Sequence, residues 1–477
     1  MKSNSNAFST QEKKFLRKLH DTARLVRDLD GKVAILTHYD TDGLAAGGAF
    51  LRYFALNNNP FVIRATTKLD DNILADFFNL SADHYIMLDL GSDLDRVIPI
   101  WMDRGSHGDL LIIDHHKIVK YNEYVENFTF VNPEYYDIDG GTTACTAIMS
   151  ALITYYATKE EDKYLLELGI VGGYGDMQLQ NNISAINQYF VNKAIKNNVV
   201  EYVKDFIFFL NRKMPLFRAL TWMFIPYIPK FSGRDDVGIN ILEKVGIPIE
   251  KEERYTTIDD INEKQKEEIL SVILEYLSSL GVSINVKDLI RESYELKLED
   301  DDILSTAEGF SSILSALGRM EKESLGLLLA SGSRGEILDE AKRILDERRK
   351  LINRYLEEAL RRIRIYGDKI AIIDFRGFDF NPRFTGSIST ILSKSITLSD
   401  KVVVVLGEEE GKIKVSARAP KTLVKQGFDL SVIMRNLSKK VGGVGGGHNV
   451  AAGASLNKTE NIRDILVTEL MEALPRG

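Results

Sequence analysis

Eight residues of the types that hold and polarise divalent cations fall in four short stretches of this chain. His38, Asp40 and Asp42 lie in THYDTDG (37–43), Asp89 in MLDLG (87–91), Asp114, His115 and His116 in IDHH (113–116), and Asp176 in GGYGD (172–176). Imidazole and carboxylate together suit a pair of divalent ions and lean towards Mn2+, with Mg2+ the alternative. Two ions about 3.5–4 Å apart lower the pKa of a shared water and clamp the oxygens of an in-line phosphoryl displacement. In that chemistry one histidine of the DHH trio ligates metal, the other meets substrate phosphate, and Asp114 supports the cluster. An aspartate after a strand also caps the next helix. That would explain Asp42 or Asp89 singly, but poorly explains HYDTD and DHH together. His84 and His107 lack acidic motif neighbours and read as incidental.

Strands must carry these groups to one place. VAILTHYD (33–40), FVIRAT (61–66), HYIMLDL (84–90), LLIID (110–114) and FTFVN (128–132) are aliphatic runs separated by stretches with helical spacing. Such alternation predicts an α/β fold with a parallel, doubly wound sheet buried on both faces. Asp40, Asp42, Asp89 and Asp114 all follow strand ends, and in a parallel sheet those ends share the ligand-binding edge. Carboxylates gathered there repel one another unless cations intervene.

After two further helices, the second ending in a glycine-rich turn that delivers Asp176, the pattern changes. Residues 185–230 are aromatic and aliphatic with prolines. Residues 250–303 are acidic and helix-forming, and read as an inserted, helix-rich accessory module. Its stretch INEKQKEEILSVILEYLSSL puts Ile269, Val272, Ile273, Tyr276 and Leu277 on one helical stripe. A charged amphipathic helix over 336–364 leads to a smaller α/β domain with strands at 369–375, 401–407 and 411–419. There Ser416 and Arg418 share a strand face, and an arginine can fork onto phosphate. GGVGGGHNVAAG (442–453), with Gly446, Gly447 and His448, reads as a phosphate-binding turn that opens a helix.

The chain has 477 residues, 44% hydrophobic and 27% charged, and a formal net charge of −8. That length implies more than one domain. The negative charge argues against broad nonspecific duplex binding, which rests on many phosphate neutralisations. No apolar run is long enough for a membrane span. The N-terminal stretch lacks the apolar core of a secretory signal. A single cysteine, Cys145, excludes an internal disulfide framework and a cysteine-built zinc site, and fits a cytoplasmic location.

The four motifs resemble those of the DHH phosphoesterase superfamily. Within it the chain resembles the RecJ-like single-strand exonucleases, closest to the archaeal GINS-associated branch. GGTTA (140–144), FSSILSALGR (310–319), FTGSISTIL (384–392), KVSARA (414–419) and GGVGGGHNVAAG extend the resemblance over most of the chain, excluding roughly 230–300. It implies a DHH catalytic domain at 1–190, an accessory region at 191–303, the end of the catalytic core at 304–335, a connecting helix at 336–364, and a DHH-associated nucleic-acid-binding domain at 365–477. By the same resemblance His38, Asp40, Asp42, Asp89, His115 and Asp176 are metal ligands, with Asp89 bridging. Asp114 and His116 support catalysis and contact phosphate. Ser416, Arg418, Gly446, Gly447 and His448 hold the nucleic-acid backbone, opposite the metals across an interdomain cleft. Ile391 stands where bacterial RecJ proteins tend to carry arginine.

The function implied is a two-metal, Mn2+-dependent exonuclease on single-stranded DNA or RNA, acting in replication or repair. GINS is the partner the resemblance offers, through the accessory region. A second reading is a replication scaffold related to the DHH subunit of the replicative helicase; such a scaffold should have lost ligands, and all of them are present. A third is a small-oligonucleotide phosphoesterase, a class generally shorter and without the insertion.

Overall fold

The computed structural model describes residues 8–67, 69–104, 108–180, 183–281, 286–395 and 397–475. His107 lies outside them. The chain begins with α1 (Thr10–Arg27), capped by Ser9 and Glu12 reciprocally, and its apolar stripe of Phe15, Leu19, Ala23 and Val26 is buried. There follow β1 (Val33–His38), α2 (Thr41–Leu56), β2 (Phe61–Thr66), α3 (Asp71–Phe78), β3 (His84–Leu88), α4 (Leu94–Arg104), β4 (Asp109–Ile113) and β5 (Phe128–Val131). The five strands are all parallel, in the order β2-β1-β3-β4-β5. The aliphatic runs read from the sequence are these strands, and the order reverses at β1.

Helices α5 (Thr146–Ala157), α6 (Tyr164–Gly175) and α7 (Ala185–Lys196) come next, then β6 (Val200–Phe206), α8 (Leu216–Ala219), α9 (Asp235–Val245), a small hairpin of β7 (Glu250–Lys251) and β8 (Arg254–Tyr255), and α10 (Glu263–Ser279). The chain continues through β9 (Ile290–Leu296), α11 (Ala307–Arg319), α12 (Glu323–Ala330) and the 27-residue α13 (Glu336–Arg362). It ends with β10 (Arg364–Tyr366), β11 (Ile370–Asp374), α14 (Thr385–Ser393), β12 (Val402–Glu409), β13 (Lys412–Arg418), α15 (Lys421–Val424), α16 (Leu430–Val441), β14 (Gly443–Gly447), β15 (Ala451–Asn457) and α17 (Ile462–Ala473).

Two compact units result. The first holds residues 1–206, 210–213 and 287–346; the second holds 207–209, 214–286 and 347–477. The acidic segment is therefore distributed over both. Its stretch RESYEL, expected to be helical, is β9, paired antiparallel with β6 over seven residues. Cross-strand pairing such as Tyr202 against Tyr294 overrides local helix propensity here. The stripe on α10 faces its own unit, with Ile269, Ile273 and Leu277 buried. Tyr276 packs against Phe231 and donates to the Lys230 carbonyl at 3.2 Å.

In the second unit a six-stranded sheet runs β10-β11-β12-β13-β15-β14 around a core of Val402, Val404, Leu406, Val415, Met434 and Leu437, among others. The glycine-rich motif does not open a helix. It forms the antiparallel hairpin β14–β15, closed by the His448 N–H donating to Ala451 O at 2.8 Å. Gly445 shows why glycine is needed: a Cβ there would lie 2.3 Å from the Met434 carbonyl of α16. No helix among the described residues is long and apolar enough to cross a membrane.

Candidate metal centre

The carboxyl ends of β1, β3 and β4 deliver the motif residues to one edge of the parallel sheet, as the strand spacing requires. Asp40 caps α2, its Oδ1 accepting from Gly43 N–H at 3.1 Å. This close turn needs glycine, because a Cβ at Gly43 would sit 2.4 Å from the His38 carbonyl. Asp42, one helical residue further, turns towards the start of α5 and accepts from both Thr146 N–H (2.9 Å) and Ala147 N–H (2.8 Å). The cap after β1 is thus Asp40, while Asp42 answers the positive end of another helix. Asp89 sits at φ +60°, a left-handed conformation that a non-glycine residue rarely adopts. It is almost fully buried, with Oδ1 accepting from the Thr146 hydroxyl at 3.2 Å.

Two groups of potential ligand atoms meet at Asp89: His38 with Asp40, and His115 with His116. His38 Nδ1 lies 3.1 Å from Asp40 Oδ2 and 3.3 Å from Asp89 Oδ2. Neither contact has hydrogen-bond geometry, so Nδ1 and Asp89 Oδ2 are buried without a hydrogen-bond partner. On the other side His115 Nε2 lies 3.4 Å from Asp89 Oδ1 and 3.6 Å from Asp42 Oδ2. Its Nδ1 lies 2.8 Å from the Gly140 carbonyl, which fixes the Nδ1–H tautomer and leaves the Nε2 lone pair facing the carboxylates. Asp176, at the C-terminus of α6, lies on the Nδ1 side of His115, with Oδ2 3.9 Å from that nitrogen. The glycines before Asp176 are the last turns of α6, not a loop; a Cβ at Gly172 would meet Ala147 of α5 at 2.1 Å.

The charges are unbalanced in a way a cation would relieve. Burial alone would lower His38, but Asp40 and Asp89 push it well above the ordinary imidazole range. His115 is likewise buried and is pushed well up by Asp89, Asp176 and Asp42. Burial, then the Asp89 charge, pushes Asp42 well up, and burial raises Asp176 to about 6. Burial would raise Asp40 too, yet His38 holds it well below the carboxylate range. Orphaned buried donor atoms, a shared central carboxylate and a mixed imidazole–carboxylate set fit a pair of divalent cations. Bound there, such ions supply Lewis acidity and an acidified water.

Asp114 and His116 stand beside this set. Asp114 Oδ2 accepts from Ser92 N–H (2.9 Å), and Oδ1 meets His116 Nδ1 (2.8 Å) and its backbone N–H (3.2 Å). Burial opposes charge on both, but the pairing prevails, holding Asp114 well down and raising His116 to about 9. The His116 ring is 48% exposed, with Nε2 left for an external group. His84 pairs with Asp109 (3.1 Å) and contacts the Asp30 carbonyl (2.8 Å), at the opposite end of β3.

Comparison with known proteins gives four findings. Residues 370–474 match the DHHA1 domain family. An uncharacterized protein of Methanocaldococcus jannaschii is 27% identical over 437 residues, covering 90% of each chain. RecJ from Thermus thermophilus, solved with Mn2+, aligns with a TM-score of 0.57 at 13% identity, over 96% of this chain and 55% of its own; the chain spans about half the length of that relative. CDC45 from Entamoeba histolytica aligns with a TM-score of 0.60 at 12% identity, over 97% and 99%. Fold and DHHA1 domain agree. The chain carries a DHHA1 domain and has a RecJ-like fold.

Within the DHHA1 segment, Ser416 and Arg418 share the face of β13 that looks at α14. Ser416 Oγ donates to Thr385 Oγ1 (2.9 Å), and Arg418 Nε donates to Thr390 Oγ1 (3.0 Å). Register puts Arg418 opposite Ala451, at the end of the β14–β15 hairpin where His448 is exposed and Gly447 pairs with Ala452. Gly446 faces open space. Ile391 is buried on α14. Sequence reasoning missed Thr146, Ser92, Asn132 and Gln178. Asn132 Nδ2 donates to Ser92 Oγ and His116 O, both at 3.0 Å, and Gln178 Nε2 donates to the Gly140 carbonyl that orients His115. Their one signal was position, since Thr146 and Gln178 each lie close after a motif stretch.

Proposed function

We propose that this chain is a DHH-superfamily, metal-dependent exonuclease that hydrolyses phosphodiester bonds of single-stranded DNA or RNA, with Mn2+ preferred and Mg2+ the alternative. The observation that carries the reading is the pair of ligand groups meeting at the buried, strained Asp89. Asp40 and His38 hold one side; Asp42, His115 and Asp176 hold the other. In this reading Asp114 fixes His116 by Nδ1, so that Nε2 meets a non-bridging oxygen of the scissile phosphate. Gly140 and Gln178 keep His115 in the ligating tautomer. Ser416, Arg418, Gly446, Gly447 and His448 would hold backbone phosphate through charge-assisted and main-chain contacts. The Thermus RecJ structure with Mn2+ supports the choice of ion. The test is digestion of single strands of DNA and RNA, labelled at either end, with Mn2+. A ladder growing from one end is expected, and intact strands from both would sink the reading.

A replication role is the second reading, favoured by the alignment over almost the whole CDC45 chain. A scaffold would need none of the eight motif residues, whose presence favours catalysis. GINS capture is compatible with both. Because the α10 stripe packs on its own unit, a docking surface there would use the exposed charged face.

A further inference from the structure

The second unit gathers arginines where the proposed activity has no use for them. Arg361 and Arg362 in the last turn of α13, Arg364 on β10, Arg376 just after β11 and Arg463 in the first turn of α17 line one polar cleft of about 280 Å³, with Ile372 and Asp374. Among the described residues, two carboxylates accept hydrogen bonds from them. Asp374 takes Arg376 through Nε (2.9 Å) and Nη2 (2.7 Å). Glu358, one turn back on α13, takes Arg362 Nε (2.6 Å) and Arg361 Nη1 (3.4 Å). Glu408 acts on Arg376 as well, but is itself paired with Lys458. Arg364 Nη1 reaches only the Ile363 carbonyl (3.2 Å), and Arg463 makes no hydrogen bond or ion pair among the described residues.

The helix dipole accounts for cations at the end of α13. It does not account for Arg364, Arg376 and Arg463, which three other elements bring to the same cleft. Guanidiniums crowded together repel one another, in a chain whose net charge is −8, and an oxyanion between them reverses that repulsion. Their planar forks match phosphate oxygens in pairs. The cleft is also distinct from the region of Ser416, Arg418 and His448. The cleft lies at the β10 edge of the six-stranded sheet; Ser416 and Arg418 lie on β13, three strand spacings or about 14 Å away, and Gly446 and Gly447 lie on β14 at the opposite edge.

We propose that this arginine cleft is a second anion site that binds a phosphate group, carried by a nucleic-acid strand or by a free nucleotide. Arg364 and Arg463 offer the unmatched charge, and Arg362 and Arg376, already oriented by carboxylates, shape the walls.

The test uses the full chain and its R364E/R463E variant, both of whose altered side chains are exposed. One arm measures anisotropy of a labelled, phosphorothioate-protected single strand across a salt series; the other titrates adenosine monophosphate by calorimetry. The variant should lose at least tenfold in affinity for the strand, with a shallower salt slope, or lose one nucleotide-binding event. Loss in the strand arm alone marks a nucleic-acid path; loss in the nucleotide arm alone marks a small-ligand site. The R364K/R463K variant, which keeps the charge, should retain most binding; if it falls as far as the reversal although its melting is unchanged, packing rather than charge is responsible and the proposal fails. Unchanged binding of both probes by the charge-reversed variant also overturns it. If charge reversal lowers the melting midpoint, R364Q/R463Q replaces it with the same readings. The readout is binding, so it stands whether or not the chain cuts the strand.

Discussion

Asp89 is the residue on which both candidate ligand groups converge. One oxygen takes the Thr146 hydroxyl and faces His115; the other is buried without a hydrogen bond beside His38. A left-handed aspartate is held there at a cost of roughly 1–3 kcal/mol, which suggests a ligand geometry worth that strain. Asp89→Ala should lower hydrolysis of a single strand at least 100-fold and reduce bound metal, read by gel assay and elemental analysis. Near-normal turnover would remove Asp89 from the centre. Arg418→Ala and His448→Ala should behave differently, with strand affinity falling tenfold or more at unchanged metal content, since a charge-assisted contact contributes about 1.5–3 kcal/mol. Equal loss of metal would contradict that division of roles. The clustering of these ionisable residues was legible in the sequence because aspartates and histidines recur together at the ends of parallel strands, which share one edge. Thr146, Ser92, Asn132 and Gln178 were not, because an uncharged polar residue near a helix end looks like any cap.

Elements were legible where hydrophobic period and burial agree, as in β1 to β5. They were misread where packing overrides local propensity. The acidic stretch that becomes β9 is a strand because β6 lies beside it. The glycines of β14 look like an anion nest in sequence, yet Gly445 serves the approach of α16. Gly445→Ala should therefore destabilise the second unit by about 1–3 kcal/mol, measured by denaturant melting; an unchanged midpoint would show that α16 moves aside freely. Helix α6 carries another consequence. Glu167 is buried with Oε1 unpaired, and burial, aided by Glu299, raises it to about 8. A raised carboxyl binds its proton more tightly in the folded chain. Its contribution is fully present below the unfolded value near 4.5 and is lost as pH rises towards 8, by at most about 1.4 kcal/mol per pH unit. Glu167→Gln should match the parent near pH 4.5 and exceed its stability at pH 8. Parallel pH profiles for the two would contradict the assignment.

For the whole molecule, the sequence showed several domains but not how the chain divides between them. The acidic stretch looks like one insert because its charge contrasts with what flanks it. Instead, residues 214–286 join the compact unit that contains the DHHA1 segment, while 287–346 return to the parallel sheet's unit. Replacing 250–300 by a flexible linker would remove β9 and strip β6 of its partner, so a test of partner docking must spare residues from 287 onward. The cluster around Asp89 is tested by a metal titration. The full chain, stripped with chelator and shown by elemental analysis to be metal-free, is titrated with Mn2+ while bound ions and release of nucleotides from an end-labelled single strand are followed together. Two ions bound per chain, with hydrolysis absent before the titration and rising as they bind, is the expected result. Full hydrolysis by the verified metal-free chain would contradict it.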